Sequence, residues 1–257
     1  MERPYYEAGT PAWVDLGSSD PAGAKHFYGG LFGWVAEEQG GDPNGYAIFR
    51  LRDLAVGGVG PVSRQGQSSA WMTYISVDDA DETSAKVKAA GGRVFVGPMD
   101  AIEAGRFAVV GDTSGATFGI WQPKSHEGAD IVGEPGSMCW HELNTRYTIA
   151  AASFYGAVFG WEAQEIPIDQ HVSYTEWLVG DKSVCGMMPI SDTAQGIVSP
   201  QWLVHFAVAD CDQSFALALT LGASAYVEPT DVPPGRLAVL ADPQGALFAV
   251  IQLIGER

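Results

Sequence analysis

The sequence predicts an α+β protein of two tandem domains, each built from a β-α-β-β-β module taken twice. Two internal repeats indicate the duplication. Segment 13–34 matches segment 140–161 at an offset of 127, with 9 of 22 positions identical. Segment 105–122 matches segment 235–252 at an offset of 130, with 9 of 18 identical. Repeats of this length indicate duplicated domains, because a solenoid repeats roughly every 20–50 residues.

The repeats place a first domain at 8–123 and a second at 138–254. Between them, segment 124–137 is rich in Gly, Glu and Pro and shows no hydrophobic periodicity, which is typical of a linker. Each half is long enough to bury a core without disulfides or metals.

The composition narrows the possible partners and compartment. The formal net charge is −17, so we expect neither nucleic acid nor an anionic membrane surface as a partner. Cys139, Cys185 and Cys211 are odd in number and lack paired spacing, which favours free thiols in a reducing compartment. The N-terminus shows no apolar signal segment, and no apolar run approaches 18 residues. These features predict a cytoplasmic protein.

The first module shows clear helix signals. Segment 13–16 reads as a short strand, and Asp20 followed by Pro21 predicts a helix start. Gly33 predicts its end. An apolar stripe at helical spacing predicts the buried face: Ala24, Phe27, Tyr28, Leu31 and Phe32. Asp79 or Asp81 is expected to cap the helix of the second module.

These motifs resemble the vicinal-oxygen-chelate superfamily, which includes glyoxalase I, bleomycin-resistance proteins and extradiol dioxygenases. The resemblance rests on Asp20, Phe27-Tyr28 and Leu31–Trp34, together with the turn and strand of Asp242–Phe248. Within the superfamily the chain is most similar to tandem glyoxalase-like proteins of actinobacteria. The resemblance implies that the paired modules curl into cupped mixed sheets with helices outside, and that each cup binds a small molecule.

Metal-dependent members of the superfamily hold a divalent cation with His and Glu residues on defined strands. The resemblance maps those ligand positions onto side chains of another kind: Trp13, Met72, Gly119, Trp140, Leu203 and Ala249. None of these can hold a hard or borderline cation. We therefore expect no metal and no other cofactor.

Strand alternation predicts which residues line the cups, because side chains two apart share a face. Asp15 should approach Tyr74, and Glu142 should approach His205, across the pseudo-twofold axis that the resemblance implies. The residues expected to contact a ligand are mostly aromatic or polar: Trp13, Asp15, Tyr46, Tyr74, Trp140, Tyr174, Trp177 and Met187. A buried carboxylate needs a hydrogen-bond donor, which a Tyr hydroxyl or an imidazole supplies.

The remaining histidines receive separate interpretations. His141 should face the helices and pack there, whereas His126 lies in the linker and is expected to be solvated. His171 precedes a strand and lies within reach of a pocket mouth.

Two functions are compatible with these residues. The first is metal-free binding of an aromatic or apolar metabolite, expected from the missing metal ligands and the surplus of aromatic side chains. The alternative is an enzyme of the same superfamily that uses Glu142 and His205 as an acid/base pair, or an unorthodox metal. A third reading leaves one half purely structural, with its cup filled by its own side chains. We expect a monomer or homodimer, with any chemistry in residues 138–253.

Overall fold

The computed structural model describes residues 5–40, 45–64, 66–168, 170, 172–190 and 199–254. His171 lies outside the described residues.

In the described part of the first half there are eight strands and two helices. In chain order they are β1 (Pro11–Ser18), α1 (Pro21–Phe32), β2 (Val35–Glu38), β3 (Ala47–Leu51), β4 (Leu54–Pro61), β5 (Ala70–Ser76), α2 (Ala80–Ala89), β6 (Arg93–Ala101), β7 (Gly105–Gly111) and β8 (Thr117–Pro123). The strands form one sheet in the order β2-β3-β4-β1-β5-β8-β7-β6.

The second half repeats this order. Its elements are β9 (Met138–Thr145), α3 (Thr148–Phe159), β10 (Glu162–Pro167), β11 (Ser173–Val179), β12 (Lys182–Pro189), β13 (Gln201–Ala207), α4 (Cys211–Thr220), β14 (Ser224–Val232), β15 (Gly235–Ala241) and β16 (Leu247–Leu253). Its sheet runs β10-β11-β12-β9-β13-β16-β15-β14, so each half is a β-α-β-β-β module taken twice. The predicted α+β fold with two tandem mixed sheets is confirmed.

The first strands of the two modules pair at the centre of each sheet. β1 runs antiparallel to β5, and β9 runs antiparallel to β13. Each of these strands is also parallel to the last strand of its own module, as β1 is to β4 and β5 is to β8. Each face of the sheet therefore has, at its centre, one strand from each module.

The helix limits follow the signals in the sequence. The Asp20 side chain accepts a hydrogen bond from the Gly23 N–H, and Pro21 opens α1. Gly33 ends α1 with φ 73°, a left-handed conformation that glycine adopts without steric cost. In α2 the capping residue is Asp79, whose carboxylate accepts from the Glu82 N–H. These boundaries were predicted correctly.

A buried tyrosine of each half bonds to the other half. The Tyr28 hydroxyl on α1 accepts a hydrogen bond from Trp71 Nε1 at 2.8 Å. The same hydroxyl donates to Asp242 Oδ2 at 3.0 Å. Asp242 belongs to the β15–β16 turn, where its other oxygen accepts the N–H groups of Gln244 and Ala246. A helix of the first half is thus tied to a turn of the second.

A tyrosine of the second half makes the equivalent contacts with the first half. The Tyr155 hydroxyl on α3 accepts from Trp202 Nε1 at 3.0 Å and donates to Asp112 Oδ2 at 3.3 Å. Asp112 lies in the β7–β8 turn of the first half, where it accepts from the N–H of Ala116. We call these two networks, Tyr28–Trp71–Asp242 and Tyr155–Trp202–Asp112, the reciprocal tyrosine bridges.

The bridges lie in the apolar core that the two halves share. Phe206 of β13 packs against Trp71 of β5 with ring centroids 5.2 Å apart. Nearby, the buried His141 ring faces the hydroxyl of Thr73, with Nδ1 and Oγ1 3.0 Å apart. Each sheet therefore turns its helix-covered face toward the other half, and the cup-forming faces point away. His141 packs on the helix-covered face, as predicted.

The segment between β8 and β9 packs along the first sheet. The Ala129 N–H donates to the Ala12 carbonyl at 2.9 Å, and the Asp130 carboxylate accepts from the Ala55 N–H at 2.8 Å. Ile131 is buried beside them. No described helix is long and apolar enough to cross a bilayer.

The reciprocal bridges generate a stability prediction. Tyr28→Phe or Tyr155→Phe should lower the free energy of unfolding by about 1–3 kcal/mol, because each leaves a buried indole N–H and a carboxylate without their partner. Urea denaturation measures the change. The control Tyr226→Phe removes a half-exposed hydroxyl with no bridging role and should be neutral. Equal losses in all three variants would contradict this account.

Candidate functional site

The floor of the first cup carries a carboxyl group between two tyrosines. Trp13 on β1 lies opposite Tyr74 on β5, and Asp15 shares the same face two residues further along β1. The Tyr74 hydroxyl donates a hydrogen bond to Asp15. Trp13 Nε1 donates to the Tyr46 hydroxyl at 3.2 Å, and that hydroxyl also lies close to Asp15. The expected approach of Asp15 to Tyr74 is confirmed.

The second cup repeats part of this floor. Trp140 Nε1 donates to the Tyr174 hydroxyl at 2.7 Å. Tyr174 donates in turn to the Glu142 carboxyl, which also accepts from Asn144 Nδ2 at 3.3 Å. Tryptophan, tyrosine and carboxyl thus occupy matched positions in both halves, and we call each set a floor triad: Trp13–Tyr46–Asp15 and Trp140–Tyr174–Glu142.

Each floor triad lies over a glycine of the neighbouring strand. Gly58 is the register partner of Asp15, and Gly186 is the register partner of Glu142. A Cβ at Gly58 would collide with the Tyr46 hydroxyl, and one at Gly186 would collide with that of Tyr174. Matched glycines therefore make room for the tyrosines.

Burial changes the acidity of both floor carboxyls. Desolvation raises the pKa of Asp15 to about 7, although the hydrogen bond from Tyr74 partly opposes the rise. Desolvation likewise raises the pKa of Glu142 to about 7 against the bonds from Asn144 and Tyr174. Each carboxyl therefore exchanges its proton near neutral pH, where it can both donate and accept hydrogen bonds.

Glu142 and His205 share a cup face but do not pair. Glu142 lies opposite Leu203, and His205 lies opposite Trp140, so the two are diagonal neighbours on adjacent strands. Glu142 bonds to Asn144 and Tyr174, whereas His205 Nε2 is buried without a hydrogen-bond partner among the described residues. The prediction that Glu142 and His205 lie on the same face is confirmed. The expected hydrogen bond between them is absent, because the imidazole is too short to span the diagonal distance between the two strands. Desolvation lowers the His205 pKa to about 4, so the ring is neutral.

Two residues expected to contact a ligand lie elsewhere. Trp177 is fully buried on the helix-covered face, where its ring packs 5.2 Å from that of Trp161. Met187 is buried in the same cluster opposite Leu143. Both expectations were wrong. Alternation places the neighbouring Met188 on the cup face beside Asn144 instead.

His126 also differs from its expectation. Its ring is half-buried and meets Trp13 edge-on at a centroid distance of 4.5 Å. It also lies 5.9 Å from the Trp121 ring, whose Nε1 donates to the His126 carbonyl at 2.9 Å. Both tryptophans face the first cup, so this histidine of the interdomain segment occupies one end of that cup.

The described cup residues do not fit a divalent metal. Each floor offers one carboxyl beside tyrosine, tryptophan and glycine, and the second floor adds only Asn144 and His205 among the described residues. Within the part of the chain that the structure describes, no three His, Cys, Asp or Glu side chains converge as ligands would. The positions to which the resemblance assigns ligands, such as Trp13 and Gly119, carry no donor for such an ion.

The repeated modules and cups define a vicinal-oxygen-chelate fold, and the chain belongs to the glyoxalase/bleomycin-resistance/dioxygenase superfamily. The family model of that name matches residues 10–120, and a model described as a glyoxalase-like domain matches residues 142–251.

Relatives match nearly the whole chain. The anthracycline biosynthesis protein DnrV of Streptomyces peucetius is 40% identical over 96% of this chain and 94% of its own. A putative glyoxylase, CFP32, of Mycobacterium tuberculosis is 38% identical over 98% of this chain and 97% of its own.

Solved structures share the fold at low identity. A Mn(II)-bound glyoxalase from Novosphingobium aromaticivorans superposes with a TM-score of 0.67 at 16% identity, covering 98% of this chain and 83% of that one. The 2,3-dioxygenase LapB of Pseudomonas sp. KL28 gives 0.67 at 13%, covering 96% and 93%.

The raised pKa of Asp15 predicts a pH-dependent cost. Its ordinary pKa is 3.8 and its folded pKa about 7, so the folded state holds the proton more tightly and loses stability as pH rises between these values. The free energy of unfolding of Asp15→Asn, taken relative to that of the native protein, should therefore be about 1–4 kcal/mol higher at pH 8 than at pH 4.

Urea denaturation at both pH values measures that gain. Glu162→Gln is the matched control, because it removes one negative charge from an exposed position on β10. If the two variants follow the same pH dependence, general charge repulsion rather than burial of Asp15 explains the effect.

Proposed function

We propose that this protein binds a flat, oxygenated aromatic molecule in a metal-free cup. The single observation that carries the proposal is the duplicated floor triad, in which a carboxyl that titrates near neutrality lies beside an indole and a phenol. Aromatic walls with a few fixed polar groups are typical of sites for small aromatic ligands. The carboxyl would exchange hydrogen bonds with a ligand hydroxyl.

The charges and relatives support the same class of ligand. The net charge of −17 disfavours phosphorylated or otherwise anionic ligands and nucleic acid. DnrV is named as an anthracycline biosynthesis protein, and anthracyclines are polycyclic aromatic compounds. The three cysteines are free, which agrees with the expected cytoplasmic location.

A second candidate is an enzyme that moves a proton on such a molecule. It is favoured by the pKa of about 7 at Glu142, since a general acid or base works best when its pKa lies near the working pH. Here Glu142 would exchange the proton, while His205, neutral and on the same face, would hold a ligand oxygen.

Binding is tested with three ring systems of similar shape: anthracene, anthraquinone and 2-hydroxyanthraquinone. The native protein should bind 2-hydroxyanthraquinone most tightly, because only it offers the carboxyl a hydroxyl that is free of an internal hydrogen bond. In the double variant Asp15→Asn/Glu142→Gln, the affinity for the hydroxylated compound relative to anthraquinone should fall about tenfold. That change corresponds to the loss of one hydrogen bond to a charged group.

Quenching of tryptophan fluorescence and the ligand-induced rise in Tm report binding independently. Glu162→Gln should keep the native preference. If the native protein binds none of the three compounds at their solubility limit, the proposed function is wrong.

The enzyme alternative predicts proton exchange. With 2-tetralone in D₂O, the native protein should speed deuterium uptake at the acidic C–H positions, with a midpoint near pH 7 set by Glu142. Mass spectrometry measures uptake. Glu142→Gln should fall to the rate of buffer alone, and Glu162→Gln should not. Equal rates in these two variants would remove Glu142 from the mechanism.

A further inference from the structure

The two cups share a floor triad but differ in the second module. Matched registers make the comparison direct: Tyr74 pairs with Gly119, and His205 pairs with Ala249. One strand further, Phe107 pairs with Trp121, whereas Leu237 pairs with Ile251. Three aromatic side chains of the first cup are therefore replaced by smaller ones in the second.

The first cup is filled by its own side chains. The Tyr74 ring lies where a Cβ on Gly119 would be, and its hydroxyl bonds to Asp15. His126 occupies the space between Trp13 and Trp121. Tyr74 thus occupies the space beside the Asp15 carboxyl, where the second cup has the shorter His205 side chain, and a ligand would have to displace the Tyr74 hydroxyl to replace its bond.

The second cup has an apolar floor, on which His205 carries a polar atom without a partner in the described parts of the chain. Leu203, Val239 and Ala249 form a separate small cluster on the cup face. His205 lies among them, 5% exposed, and its Nε2 has no hydrogen-bond partner within the described residues. Leaving a buried polar atom without a hydrogen-bond partner costs about 1–3 kcal/mol of folding stability. A ligand bound on the cup face could supply that partner to His205 Nε2.

We infer that the second cup is the ligand-binding cup, where Glu142 and His205 Nε2 each contact an oxygen of a flat aromatic molecule, while the first cup is closed and structural. This inference rests on the proposed function and specifies its location and polar contacts. As diagonal neighbours, the two residues are separated by roughly 7–8 Å along the sheet. Oxygens on opposite edges of a fused ring system suit that separation, as in a hydroxylated quinone.

The matched pair His205→Leu and Tyr74→Phe tests the assignment, since each removes the polar group at the same position of one cup. His205→Leu should weaken binding of anthraquinone about tenfold and abolish its advantage over anthracene. It should also leave Tm unchanged or higher, because it removes an unsatisfied buried atom. Tyr74→Phe should lower Tm, because Asp15 loses its donor, and change affinity less than twofold.

Calorimetric titration and thermal unfolding of the full chain give both readouts, with Tyr226→Phe as the neutral variant. If Tyr74→Phe weakens binding and His205→Leu does not, the cups are assigned the wrong way round. If neither weakens binding, His205 is not a ligand contact and the inference fails while the proposed function stands. A lower Tm in His205→Leu would make the histidine structural, and absence of binding by the native protein would overturn both proposals.

A direct spectroscopic readout follows the histidine itself. In ¹⁵N-histidine-labelled protein, anthraquinone should shift the ring-nitrogen signal that is missing from His205→Leu, because Nε2 acquires a hydrogen-bond partner. Anthracene, which has no oxygen, should leave that signal in place. A shift confined to the His126 signal would instead put the ligand in the first cup.

Discussion

The reciprocal tyrosine bridges are the constraint on which the rest of the structure depends. Tyr28 completes the hydrogen bonding of Asp242, and Tyr155 completes that of Asp112, each across the boundary between halves. Without the second half, the Tyr28 hydroxyl would keep the bond from Trp71 Nε1 but lose its acceptor, and the Asp112 carboxylate would lose the Tyr155 hydroxyl as a donor. Each half therefore supplies a hydrogen-bond partner that the other lacks.

Once the helix-covered faces are joined, the cup faces are free to differ. The bridges, the core aromatics and the turns are nearly the same in both halves, as symmetry of the interface demands. On the cup faces, the first-module positions keep the floor triad, but Tyr74 is matched by His205 and Trp121 by Ile251. Divergence restricted to one face is what a division of labour between the two halves would produce.

Local signals in the sequence fix the elements of the fold better than they fix the contents of the cups. Asp20, Pro21 and Gly33 determine α1, because capping and left-handed backbone are properties of individual residues. The expectation that both Tyr174 and Trp177 contact a ligand conflicts with strand alternation. The two residues are three apart on β11 and cannot share a face, so only one of them can line the cup. The place of His126 was not predictable, since a segment without periodicity carries no signal of where it packs.

An unsatisfied buried atom does not define a site by itself. Trp177 Nε1 is also buried without a partner among the described residues, but it lies on the helix-covered face inside an apolar core cluster. His126 Nε2 lies in the first cup, yet its ring is held between two indoles and fills space that a ligand would need. His205 differs from both because its Nε2, without a partner among the described residues, occurs together with a titratable carboxyl on the neighbouring strand and an apolar floor, on the face turned away from the other half. That coincidence of face, polarity and packing, rather than burial alone, is the basis of the inference that His205 contacts a ligand.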